Sequence, residues 1–152
     1  MYKLENYLGY FPRQRFRKFK QNEEILARLD RAIKVCPNQE RFWYFRGVIL
    51  SKLQRYQEAI ASFERSLQIR SNQSQAWYFR GFILLQLKDY EEAIVSFDRA
   101  IKIQSDKYEA WYFRAWALLQ LQQYEEASVC FERVIQIRPD YQLDWFSPED
   151  PK

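Results

Sequence analysis

Trp43-Tyr44-Phe45-Arg46-Gly47 returns as Trp77-Tyr78-Phe79-Arg80-Gly81 and again as Trp111-Tyr112-Phe113-Arg114-Ala115, each copy 34 residues after the last. The repetition extends beyond the pentapeptide. At constant offsets follow Leu53, Leu87 and Leu121, then Tyr56, Tyr90 and Tyr124, then Ala59, Ala93 and Ala127, and finally Phe63, Phe97 and Phe131. This apolar spacing predicts two helices per unit. The first unit has one near 40–53 and one near 56–70, with corresponding pairs over 74–104 and 108–137. A two-residue turn separates the helices of a pair. Small residues are expected where helices touch closely, as at Gly47 against Ala59. Neither helix can bury its apolar stripe alone, so the units must stack.

A 34-residue helix-turn-helix period with Trp, Gly, Tyr, Ala and Phe at these offsets resembles the tetratricopeptide repeat over residues 40–139. The resemblance implies an all-α fold, a right-handed superhelical solenoid of antiparallel helix pairs. Three full repeats stand between partial capping repeats, and Pro139 falls where that family often ends a second helix. The "AWYFRG" form is similar to bacterial, including cyanobacterial, members. Three segments are expected: a basic aromatic N-terminal arm or degenerate cap over 1–21, the repeat domain over 22–140, and an abortive repeat with a polar tail over 141–152. In the last of these, Trp145 and Phe146 keep the register until Pro148 stops the helix. At the front, residues 22–38 align with 90–106, so a second-type helix precedes the first full unit. Its missing partner would come from residues 6–19, where Pro12 is expected to interrupt a regular helix.

Composition narrows the chemistry. The 152 residues are 47% apolar and 18% aromatic, enough for a packed core, while three glycines and five prolines leave little room for hairpins or phosphate loops. There is no histidine, which removes the commonest general base and most zinc sites. Glu91 and Glu92, like Glu125 and Glu126, are neighbours that diverge by about 100° on a helix, so they suit a solvated first turn better than a shared substrate atom. Cys36 and Cys130 form no metal-ligand or redox spacing and read as reduced residues. The sequence therefore calls for no enzyme activity, cofactor or metal. No apolar run is long enough to span a bilayer and no secretory signal is evident, so a cytoplasmic or stromal setting is expected.

Function must come from a surface. The resemblance implies that first helices line a concave inner face. Trp77, Gly81 and Leu84 suffice for packing against the second helix, while Tyr78, Phe82 and Leu85 form a stripe displaced toward the inner face. Equivalent positions are Tyr44, Val48 and Ser51, and Tyr112, Trp116 and Leu119. These residues either pack between units or form an aromatic groove for a protein or peptide segment with apolar anchors. Some family members hold an acidic peptide C-terminus with Lys, Asn and Arg on this face. The matching positions here, Tyr44, Val48, Gln75, Phe79, Glu109 and Phe113, include no base, so that clamp is absent. Arg46, Arg80 and Arg114 are either spacers paired with a repeated acid such as Glu64, Asp98 or Glu132, or contacts for an acidic ligand.

Charge supplies a second reading. Residues 1–20 carry a net charge of +5 out of +4 for the whole chain, through Lys3, Arg13, Arg15, Arg17, Lys18 and Lys20 against Glu5. Phe11, Phe16 and Phe19 interleave with these bases, a pattern that suits a capping helix, nucleic acid, or peripheral contact with an anionic membrane. Self-association through an apolar end or groove is a third possibility, and the oligomeric state is open.

Overall fold

The computed structural model describes residues 11–140, with side chains from residue 17 onward. Seven helices run through this region: α1 (Phe11–Val35), α2 (Glu40–Lys52), α3 (Tyr56–Ile69), α4 (Ser74–Gln86), α5 (Tyr90–Ile103), α6 (Tyr108–Gln120) and α7 (Tyr124–Ile137). The pairs α2/α3, α4/α5 and α6/α7 are the three repeats, with boundaries within a residue of those read from the 34-residue period.

The front of the array departs from expectation. α1 is one continuous helix from Phe11 through Val35, so residues 11–19 are not a separate first-type partner and the boundary drawn after residue 21 falls inside the helix. The interruption expected at Pro12 concerned a helix over residues 6–19, of which 6–10 lie outside the described residues. The abortive repeat around Trp145, Phe146 and Pro148 lies outside the described residues.

The repeated phenylalanine of each second helix organises the core. Phe63 and Phe97 are wholly buried. A Cβ at Gly47 would lie 2.8 Å from the Phe63 ring, and one at Gly81 would lie 2.9 Å from Phe97. The glycines are therefore small to admit these rings. Each ring is also covered by the next unit. Phe79 stacks on Phe63 with centroids 6.0 Å apart, and Phe113 stacks on Phe97 at 6.3 Å. Phe131, at the end of the described array, is only half-buried.

Polar groups repeat with the same period. The indole N–H of Trp43 donates to the Pro37 carbonyl at 2.8 Å, Trp77 to Ser71 at 3.0 Å and Trp111 to Ser105 at 2.9 Å, tying each first helix to the turn before it. The contact between the start of a first helix and the end of its second is also kept, with donor and acceptor exchanged. Ser66 Oγ donates to the Glu40 carbonyl in one unit, and Ser74 Oγ donates to the Ala100 carbonyl in the next.

The two-residue turns end each first helix with the left-handed residues Gln54, Lys88 and Gln122, at φ of 60°, 63° and 60°. In the first turn Arg55 N–H donates to Leu50 O and Gln54 N–H to Ser51 O, which satisfies carbonyls left over at the helix end. None of these residues is glycine, although the left-handed region penalises a Cβ. Lys88→Gly is accordingly expected to stabilise the protein by about 0.5–1 kcal/mol, read as a higher urea midpoint with an unchanged slope; a lower midpoint would contradict this account of the turn.

Candidate functional site: the face of the first helices

Neighbouring first helices approach one another, α2 with α4 and α4 with α6, whereas the second helices α3, α5 and α7 do not make such contacts. The array therefore bends toward its first-helix side, and that side is concave. On the opposite side open clefts separate the second helices. One of about 370 Å³ lies over Trp77, Arg80 and Val95, and its counterpart of about 240 Å³ lies over Trp111, Arg114 and Val129.

The concave face carries rings of two kinds. Tyr44 and Tyr78 are half-buried and sit against the core pairs: Tyr44 meets Phe63 at 5.8 Å and Phe79 at 6.2 Å, and Tyr78 meets Phe97 and Phe113, both at 6.1 Å. Burial pushes the Tyr44 phenol above its ordinary pKa, because the phenolate would be poorly solvated there. Phe82 is half-buried, with its ring 5.2 Å from Phe113 in an edge-to-face contact and 6.5 Å from Tyr78. Another is open. Trp116 is 40% exposed, its ring leaning on Tyr90 at 6.3 Å. Phe45 is 51% exposed for another reason: its equivalents Phe79 and Phe113 stack on the core ring of the unit before, and Phe45 stands at the front of the array. Val48, Tyr112 and Leu119 are half-buried.

Leu85 does not belong to this wall. It is 5% exposed and shares a core cluster with Leu84, Ala93 and Ala117. The last turn of α4 is enclosed by α5, which returns through the two-residue turn, and by the neighbouring first helix. Helical periodicity alone assigns Leu85 to the Tyr78 stripe, because it carries no information about this convergence. The same reading missed Lys107, whose Nζ donates to Gln75 Oε1 at 2.6 Å and stands 5.0 Å over the Tyr78 ring. Lys107 brings a cation to the first-helix face even though the six clamp positions hold none.

The repeated arginines point the other way, between second helices. Arg46 Nε donates to Asp30 Oδ1 at 2.8 Å, Arg80 NH2 to Glu64 Oε1 at 3.0 Å and Arg114 Nε to Asp98 Oδ1 at 2.6 Å. Each acid lies 16 residues before its arginine, on the second helix of the preceding unit. Sixteen residues after it, on its own second helix, stands the other acceptor: Ser62 Oγ at 2.7 Å, Ser96 Oγ at 2.6 Å or Cys130 Sγ at 2.9 Å. One guanidinium thus joins three helices. Its fixed fork suits this, and its stem stays mostly buried, with side-chain exposures of 20%, 14% and 20%. Of the two readings of these residues, the spacer paired with a repeated acid describes the geometry; the acid is Asp30, Glu64 or Asp98, and Glu132 is not used. An acidic ligand in the concave groove is not what these guanidinium groups face. Burial dominates at Cys130 and pushes its thiol up, against the opposing pull of Arg114.

Of the basic arm, Arg17, Lys18 and Lys20 are exposed on α1, and the side chains of Arg13 and Arg15 lie outside the described set. Among the described residues no helix is long and apolar enough to cross a membrane, and no cluster of three His, Cys, Asp or Glu could hold a metal ion.

Two tetratricopeptide-repeat sequence models match the chain, one over residues 41–73 and one over 84–145, together more than half its length. The chain belongs to the tetratricopeptide repeat family. No curated protein matches it in sequence. Solved tetratricopeptide repeat structures do match in fold. Residues 41 to the end of MamA from Desulfovibrio magneticus RS-1 superpose with a TM-score of 0.75 at 22% identity, covering 88% of this chain and 78% of that one. The TPR domain of Arabidopsis OM64 gives 0.65 at 17% identity, covering 68% and 85%. The first TPR of Spaghetti (RPAP3), bound to the HSP90 peptide SRMEEVD, gives 0.66 at 22% identity, covering 68% and 82%. At these identities the likeness is one of fold.

Proposed function

We propose that this tetratricopeptide repeat protein is a non-enzymatic adaptor or assembly factor that holds a partner segment with apolar anchors in the concave face of its first helices. The family assignment supports a protein-interaction module. The observation that carries the finer reading is the exposure of a large ring on that face, Trp116 at 40%, with the equivalent Phe82 half-covered one period before it. Aromatic rings left partly in water on a concave surface gain most when a partner covers them. The related Spaghetti domain holds an acidic peptide, but the positions that would clamp such a peptide are here Tyr44, Val48, Gln75, Phe79, Glu109 and Phe113. One nearby cation, Lys107, is already engaged by Gln75 and Tyr78. Apolar anchors therefore take precedence over a terminal carboxylate.

Selection from a displayed peptide library tests the proposal. Peptides with aromatic or aliphatic anchors at spacings of three or four residues are expected, bound equally well with a free or an amidated C-terminus. Enrichment of acidic C-termini without such anchors would overturn it.

A further inference from the structure

The first half of α1 differs from the surfaces of the other described helices. From Phe11 to Asn22 it contains five bases and no acid; Glu23 is the first. All of Arg17, Lys18, Phe19, Lys20 and Gln21 are exposed, with Phe19 at 51%. Farther along α1, Ile25, Leu26 and Leu29 join the core cluster that includes Ile49. Helical register places positions 12, 16 and 19, a proline and two phenylalanines, on one stripe. Positions 13, 17 and 20 flank it on one side and positions 15 and 18 on the other, and all five flanking positions are basic. An apolar stripe between two basic rows is the pattern of a helix that lies at a lipid–water boundary.

A second feature adjoins it. Between this half of α1 and the end of α2 is an open cleft of about 810 Å³, with Phe19, Ile25, Ile49 and Leu53 among its apolar lining and Lys18 and Lys52 among its polar lining. The residues that match Lys52 in the other units are Gln86 and Gln120, so the second cation belongs to this end of the array alone. Apolar walls with two cations suit an amphiphile whose head is anionic.

We propose that the first half of α1 and the cleft it shares with α2 form a docking surface for a bilayer containing anionic phospholipid. Lys18, Lys20 and Lys52 would meet the headgroups while Phe19 enters the interface. Single-stranded RNA fits less well. It needs cations tracking along several nucleotides, whereas beyond this end the arginines between the second helices are paired with Asp30, Glu64 and Asp98.

The test is co-sedimentation of the full chain with vesicles of phosphatidylcholine alone or with one-third phosphatidylserine, alongside binding to a fluorescent oligouridine. Partitioning to the anionic vesicles only is expected, falling steeply between 0.1 M and 0.5 M salt. Lys18→Gln with Lys20→Gln and Lys52→Gln should lower partitioning at least about fiftyfold, and Phe19→Ala about tenfold, with unchanged thermal unfolding. Any of three results would overturn the proposal: no partitioning at low salt, equal partitioning to neutral vesicles, or RNA binding without vesicle binding. Full partitioning of Lys52→Gln alone would overturn the assignment of the cleft.

Discussion

Gly81→Leu is expected to destabilise the protein by about 3 kcal/mol, lowering its melting temperature by about 10 °C. Gly81 lies in the middle of α4, and a single Cβ there would already be 2.9 Å from Cε1 and 3.0 Å from Cζ of Phe97. That ring has nowhere to go. It is wholly buried, with Tyr78 on one side at 6.1 Å and Phe113 stacked on another at 6.3 Å. Leucine adds three more carbons, so either Phe97 leaves its place or α4 and α5 separate. Both outcomes also disturb the next unit, because Phe113 rests on the displaced ring. Gly81→Ala should fall between wild type and leucine, since alanine recovers about 1 kcal/mol of helix propensity while incurring the smaller clash. The third unit carries Ala115 at the same position, opposite a Phe131 that is only half-buried. A Cβ is thus accepted where the ring is less confined. If Gly81→Leu melted with wild type, the facing of Gly81 and Phe97 would be wrong, and with it the packing of every unit.

The features legible in the sequence are those that depend on local period. Helix boundaries follow from the apolar spacing because each helix must bury one stripe against the next. What the sequence hides depends on which helices meet. The partner of Arg80 is an acid 16 residues earlier and a serine 16 residues later, and a helical wheel drawn for α4 contains neither. Trp77 reads as packing, yet its N–H also holds the Ser71 carbonyl of the turn before it. Residues 11–21 read as a separate arm, because nothing in their local pattern shows that they continue into the helix over 22–35. Leu85 reads as groove because periodicity gives direction and not enclosure. The concavity was legible only through the family resemblance; in the structure it follows from first helices that touch and second helices that do not.

Phe82→Ala combined with Trp116→Ala is expected to lower affinity for a selected apolar peptide at least about a hundredfold while leaving the helical spectrum intact. The two residues occupy equivalent positions on α4 and α6, one period apart, near the middle of the array, where a bound segment would be most completely removed from water. Covering an aromatic side chain contributes roughly 1.5–3 kcal/mol, so losing two such contacts is worth at least about 3 kcal/mol, or a factor of about a hundred. Anchors of this chemistry at the centre of an interface usually dominate its energy. Stability should suffer less. Trp116 touches Tyr90 but keeps 40% of its surface in water, and Phe82 loses an edge contact with Phe113 while the Phe97–Phe113 stack beneath remains. A cost of about 1–2 kcal/mol is expected from the partial burial of Phe82, well short of the loss for Gly81→Leu. Calorimetric titration of the same peptide into wild type and double mutant, with melting curves for each, separates the outcomes. Unchanged affinity in a folded double mutant would place the ligand elsewhere. Global unfolding of the double mutant would mean that these rings are core, as Leu85 is.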